Sequence, residues 1–145
     1  MSNLWVLVAD SSKARFFQGI SPHSELKEFH GMVNQEVRLK EHDLITDKPG
    51  RFKDDRGNTR ASNETNAKGH ETDKFAKDIT SYLEKFANQN KFKHLSIVAE
   101  PKMMGRLRSS LGNQTSQRVL EQVSKNLTTS DEQAIREHLE RIPVQ

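Results

Sequence analysis

The chain contains no cysteine, which excludes disulfides and thiolate metal sites and is compatible with a reducing compartment. No apolar run approaches the roughly 18 or more residues of a membrane span, so membrane insertion is not expected. The opening residues carry no basic leading segment, and their apolar run ends in Asp10 without a small-residue cleavage site. The expectation is a soluble, cytoplasmic protein. Apolar residues are scarce at 32%, against about 45–50% for globular domains on a scale that also counts glycine. Much of the chain must therefore lie outside the core. Motifs of catalysis are missing as well. His23, His30, His42, His70, His94 and His138 show no His-Glu-x-x-His or other ligand spacing, and there is neither a Gly-x-Ser-x-Gly elbow nor a Gly-x-x-x-x-Gly-Lys phosphate loop. No metal or other cofactor is expected, and nothing argues for an enzyme.

What is present begins with Leu4-Trp5-Val6-Leu7-Val8-Ala9, an unbroken apolar run holding the only tryptophan. It is too short for a stable helix and is bounded by Asp10-Ser11-Ser12, so it reads as a strand buried on both faces. Asp and Ser side chains bond their own backbone and favour turns. Ala14 to Phe17 then returns as a second strand, making an N-terminal hairpin. Glu25 to Val33 reads as a third strand, giving an antiparallel meander. A central strand needs cover on both faces, so helices are expected to follow.

Residues 34–70 change character: they are polar, with Pro49-Gly50 inside and few apolar side chains. The reading is a long flexible loop, disordered over 46–68 in the free protein, because such a composition cannot offset the entropy of ordering. Thr72 is expected to cap the clearest helix, with Phe75, Ile79, Leu83 and Phe86 along one face and Asn88-Gln89-Asn90-Lys91 as its stop. Leu95 to Ala99 reads as a second buried strand reached by a crossover. Pro101 suits the first turn of a helix carrying Met104, Leu107 and Leu111, with Gly112 as its C′ residue. Val119, Val123 and Leu127 fit strand and helix spacing equally. Thr129-Ser130-Asp131-Glu132 offers a capping box for a last helix bearing Ile135, Leu139 and Ile142, ended by Pro143. At 145 residues this is one domain, 1–145, with one core.

Net charge is only +3, so what matters is clustering. Lys48, Arg51, Lys53, Arg56 and Arg60 crowd the polar middle, with Phe52 available to stack on a base. Lys102, Arg106, Arg108 and Arg118 fall in a stretch with no acid at all. A helix with a basic face beside a basic loop is a candidate phosphate-binding surface; the plainer reading is a solvated face. Asp10, at the end of the central strand, sits where active sites of open sheets are found, but a metal-dependent nuclease would need further carboxylates converging on it. The plainer reading is that Asp10 makes the hairpin turn.

Four segments taken together carry a likeness: Trp5-Val6-Leu7-Val8-Ala9-Asp10-Ser11-Ser12-Lys13-Ala14-Arg15-Phe16-Phe17, Pro49-Gly50-Arg51-Phe52, Ile97-Val98-Ala99-Glu100-Pro101-Lys102-Met103-Met104-Gly105-Arg106-Leu107-Arg108, and Val123-Ser124-Lys125-Asn126-Leu127-Thr128. In this order they resemble the bacterial host attachment family, described as proteins required for attachment to host cells. That family looks related to the middle domain of archaeal and eukaryotic peptide-chain release factors. The resemblance implies an α/β fold with a mixed, ribonuclease H-like sheet, an N-terminal antiparallel meander and helices on both faces. It also implies that 119–127 is a strand. The Gly-Gly-Gln loop with which release factors promote peptidyl-tRNA hydrolysis has no counterpart: residues 34–70 offer only Gly57-Asn58-Thr59, and Gly112-Asn113-Gln114 lies elsewhere in the order. Lys53 also departs from the family's usual aspartate after Pro-Gly-Arg-Phe. The expected function is a non-catalytic module contacting the ribosome or structured RNA through its basic clusters. The alternatives are an attachment factor acting on a host-surface component and, more weakly, a nuclease using Asp10. The oligomeric state is not legible.

Overall fold

The burial of the first apolar run sets the layout. All six residues of β1 (Leu4–Ala9) are buried, which requires neighbours on both edges and cover on both faces. The computed structural model describes residues 3–20, 25–35 and 57–139, of which 57–70 as helical backbone. After β1 come β2 (Lys13–Gly19), β3 (Lys27–Val33), α1 (Gly57–Asn88), β4 (His94–Ala99), α2 (Pro101–Ser110), α3 (Asn113–Ser116), β5 (Val119–Ser124) and α4 (Glu132–Glu137). The strands form one mixed sheet in the order β3-β2-β1-β4-β5. β1 is antiparallel to β2, with Val6 opposite Phe17, and parallel to β4, with Val8 beside Val98. β5 lies parallel to β4, outside it.

Alternation along β1 and β4 splits the core in two. Trp5, Leu7, Phe16, Leu95 and Ile97 face Phe75, Ile79 and Leu83 of α1 and Met103, Met104 and Leu107 of α2. Leu4, Val6, Val8, Phe17 and Val98 face Leu127, Ile135 and Leu139. Helices therefore flank both faces of a single α/β domain, as expected. Burying each such side chain is worth about 1.5–3 kcal/mol. A bulge in the β2–β3 pairing at Phe16/Phe17 turns both Phe29 and His30 toward α1: Phe29 lies 4.7 Å from the Trp5 ring, and His30 stacks on Tyr82 at 4.3 Å.

Local chemistry explains the turns. The Asp10 Oδ1 accepts from the amides of Ser12 (2.8 Å) and Lys13 (2.9 Å), while its own amide donates to the Lys13 carbonyl; Asp10 makes the hairpin turn. α1 ends where Asn90 takes φ 59, the left-handed position that asparagine tolerates at a helix terminus. Asp131 caps α4 by accepting from the Ala134 amide at 2.9 Å.

Several expectations need correction. α1 starts at Gly57, not Thr72, so 57–70, read as the end of a flexible loop, is helical backbone and Thr72 is a buried residue within the helix. Residues 57–70 hold only Ala61 and Ala67 as apolar side chains, so no stripe announces them. Extending a helix already anchored by its apolar face costs far less than nucleating one. The rest of the polar middle, 36–56, lies outside the described residues. Gly112 is not a left-handed C′ residue: it has φ −78 and ψ 169 and precedes α3. A Cβ there would stand 2.4 Å from the Glu84 carboxyl carbon, so any larger residue must displace the Glu84 carboxylate. Residues 119–127 do begin as a strand, but it ends at Ser124, and Leu127 leaves the sheet to enter the second core. Ile142 and Pro143 lie outside the described residues.

Candidate functional site

α2 displays its basic residues because its apolar ones are spoken for. Glu100 caps it, with Oε1 accepting from the Met103 amide at 2.6 Å, and Pro101 fills the first helical position without wasting a donor. Met103, Met104 and Leu107 point into the core, which leaves Lys102, Gly105, Arg106 and Ser109 on the opposite face. α1 packs alongside and contributes Asp73 and Lys77, one turn apart. Between the two helices lies an open groove of about 540 Å³ lined by these six residues and Ser110.

Among the described residues its charge is unbalanced, with three cations against one carboxylate. Arg106 Nη1 donates to Asp73 Oδ1 at 2.7 Å. The two side chains are 31% and 56% exposed, so solvent screens the pair and it holds weakly. Lys77 and Lys102 ion-pair with no described residue. Ser109 Oγ donates back to the Gly105 carbonyl at 3.1 Å. Gly105 itself is exposed on the groove floor, and a Cβ added there would meet nothing within 4 Å. The groove therefore offers hydrogen-bond donors with a positive surplus, which is the chemistry of an anion site.

The other basic residues named from the sequence are dispersed. Arg108 reaches the opposite way, its Nε donating to Gln122 Oε1 of β5 at 2.6 Å. Arg118 is a strut: its guanidinium donates to the carbonyls of Phe92 (3.1 Å) and Gln114 (2.8 Å) and to Asn90 Oδ1 (2.9 Å). Lys48, Arg51, Phe52, Lys53 and Arg56 lie outside the described residues, as does the side chain of Arg60, whose backbone is in α1. Of the named set, the structure brings only Lys102 and Arg106 to one place. Their partners Asp73 and Lys77 were missed; the signal, a spacing of four on a polar helix face, exists in the sequence but does not say what that face meets.

Two further clusters are structural. The Glu84 carboxylate accepts from the Thr115 amide (2.9 Å) and hydroxyl (2.8 Å) and from the Gln114 amide (3.2 Å). Burial acts to raise its pKa, but these bonds and the nearby Arg118 charge outweigh burial and hold it below the ordinary value. At the end of β1, the Asp10 Oδ2 accepts from Thr128 Oγ1 (2.8 Å) and Asn126 Nδ2 (3.4 Å). Arg15 donates to the carbonyls of Thr128 and Ser130 and pairs with Glu28. The Asp10–Arg15 and Asn126–Thr128 segments thus brace each other, with both Asp10 oxygens engaged. Among the described residues no group of three or more His, Asp or Glu side chains could hold a metal ion, and no helix is long and apolar enough to cross a membrane.

Fold and groove together define an α/β domain with an open, polar groove on its helical layer. The chain belongs to the family described as protein required for attachment to host cells, whose model matches residues 5–139. It is also similar to an uncharacterized protein of Rickettsia prowazekii (strain Madrid E), 36% identical over 73 residues. That alignment spans about half of each chain, 49% of both.

Proposed function

We propose that the protein serves attachment to host cells as a binding module, with the α1–α2 groove as its contact surface. The observation that carries this is the family match over 5–139; the groove, with Lys77 and Lys102 ion-paired to no described residue, supplies a surface that can bind. A host-surface component is then the partner, and the protein acts outside the cell, which sets this reading against the cytoplasmic expectation. The ribosome or structured RNA would need the same cations, but Arg118 is engaged within the fold and Arg108 faces away from the groove toward Gln122. The strand order β3-β2-β1-β4-β5 is what supports the finer proposal of a ribonuclease H-like sheet, while the likeness to the release-factor middle domain rests on the resemblance of the sequence segments alone. Peptidyl-tRNA hydrolysis is no part of the proposal, since the sequence holds no Gly-Gly-Gln.

The test is a deletion strain scored for adherence to host cells, paired with antibody labelling of intact cells. Reduced adherence restored by the gene, with label on unlysed cells, is expected. Protein found only after lysis, and sedimenting with ribosomes at low salt, would replace this reading with the RNA one.

A further inference from the structure

We infer that the α1–α2 groove recognises the sulfate or phosphate esters of an acidic polysaccharide. The choice of a polysaccharide rests on the attachment reading; the anion selectivity rests on the groove alone. Five features converge. Among the described residues Lys77, Lys102 and Arg106 line the groove against the single carboxylate of Asp73, so an incoming anion meets a positive surplus there. The donors fit ester oxygens: two ammonium groups, the guanidinium N–H groups that Asp73 does not take, and the Ser110 hydroxyl. The site is open and polar rather than enclosed and apolar, which suits a stretch of extended polymer better than a small molecule sealed from water. Among the described residues no aromatic side chain lines it, so these residues offer no stacking platform of the kind that holds single-stranded nucleic acid.

Gly105 supplies the fifth feature. Glycine inside a helix is unfavourable relative to alanine, and here no neighbour requires it, since a Cβ would touch nothing within 4 Å. A bare backbone on the floor of a cationic groove lets a ligand approach the helix closely. Asp73 then acts as the competitor for Arg106. Its pairing is solvent-exposed, so an ester anion displaces it at little cost.

The full chain is titrated with heparin, with desulfated heparin and with a single-stranded RNA oligomer, each over a series of salt concentrations. Binding to heparin that is lost on desulfation is expected. Lys77→Ala and Lys102→Ala each weaken it about fivefold and lower the slope of log K against log salt by about 1. Asp73→Asn tightens it, a gain that damage to the fold would not produce. Gly105→Ala weakens it while leaving the fold intact. The inference is overturned by no heparin binding at low salt, by lysine variants indistinguishable from wild type, or by RNA binding tighter than heparin through the same lysines. If the titrations behave as expected but the deletion strain adheres normally, the groove assignment stands and the attachment reading falls.

Discussion

Replacing Gly112 by alanine tests how α3 is tied to α1. The backbone of Gly112, at φ −78 and ψ 169, is open to any residue, and by itself the substitution would stabilise by about 0.4–1 kcal/mol through the unfolded chain. Sterics reverse the sign. The new Cβ would lie 2.4 Å from Glu84 Cδ and Oε1, so the carboxylate must move off the Thr115 and Gln114 donors it now satisfies. Losing a charge-assisted set in a half-buried position costs about 2–3 kcal/mol, leaving Gly112→Ala destabilising by about 1–2 kcal/mol. Glu84→Ala alone should cost about 2–3 kcal/mol on the same grounds. In the Glu84→Ala background the clash has no partner, so adding Gly112→Ala should be neutral or mildly stabilising. Urea denaturation of the four proteins in a double-mutant cycle reads the coupling directly. Additive effects, within about 0.5 kcal/mol, would refute the argument.

Other consequences follow from the same geometry. Because the folded Glu84 carboxyl is held below its ordinary value, its contribution to stability is complete above the unfolded carboxyl's range and is lost as pH falls through the folded value; denaturation midpoints from pH 7 down to 2 should fall less steeply in Glu84→Gln than in wild type. Gly105→Ala should raise stability by about 0.5–1 kcal/mol, seen as a higher urea midpoint, since nothing obstructs the new methyl. Ser96 is fully buried in β4 and its hydroxyl finds no partner among the described residues; Ser96→Ala should be neutral or stabilising by up to about 1 kcal/mol, and a loss in thermal melting would contradict it. Asp10→Ala removes the acceptor for two turn amides and for Thr128, and should cost about 1–3 kcal/mol.

What the residues alone determined is whatever depends on neighbours along the chain. The unbroken Leu4–Ala9 run could only be a central strand, Asp10 could make its turn, and Phe75, Ile79 and Leu83 could only be a helix face, because period and short-range hydrogen bonding are written locally. Four ordered segments likewise sufficed to point to the family. Where a local signal was weak, the reading failed or stayed open. Residues 57–70 carry no stripe, Val119–Leu127 satisfied two periods, and Gly112 looked like a helix terminus when its reason was the carboxylate of Glu84, 28 positions earlier.

The site was decided only by the packed structure. Lys102 and Arg106 were visible as basic residues, yet Arg108 and Arg118 looked no different. The sheet order sets α1 beside α2, and that placement alone turns Lys102 and Arg106 toward Asp73 and Lys77 while sending Arg108 to Gln122 and Arg118 to four backbone and side-chain acceptors. Charge is a property of a residue, but whether that charge is free to bind depends on what the fold places within reach of it.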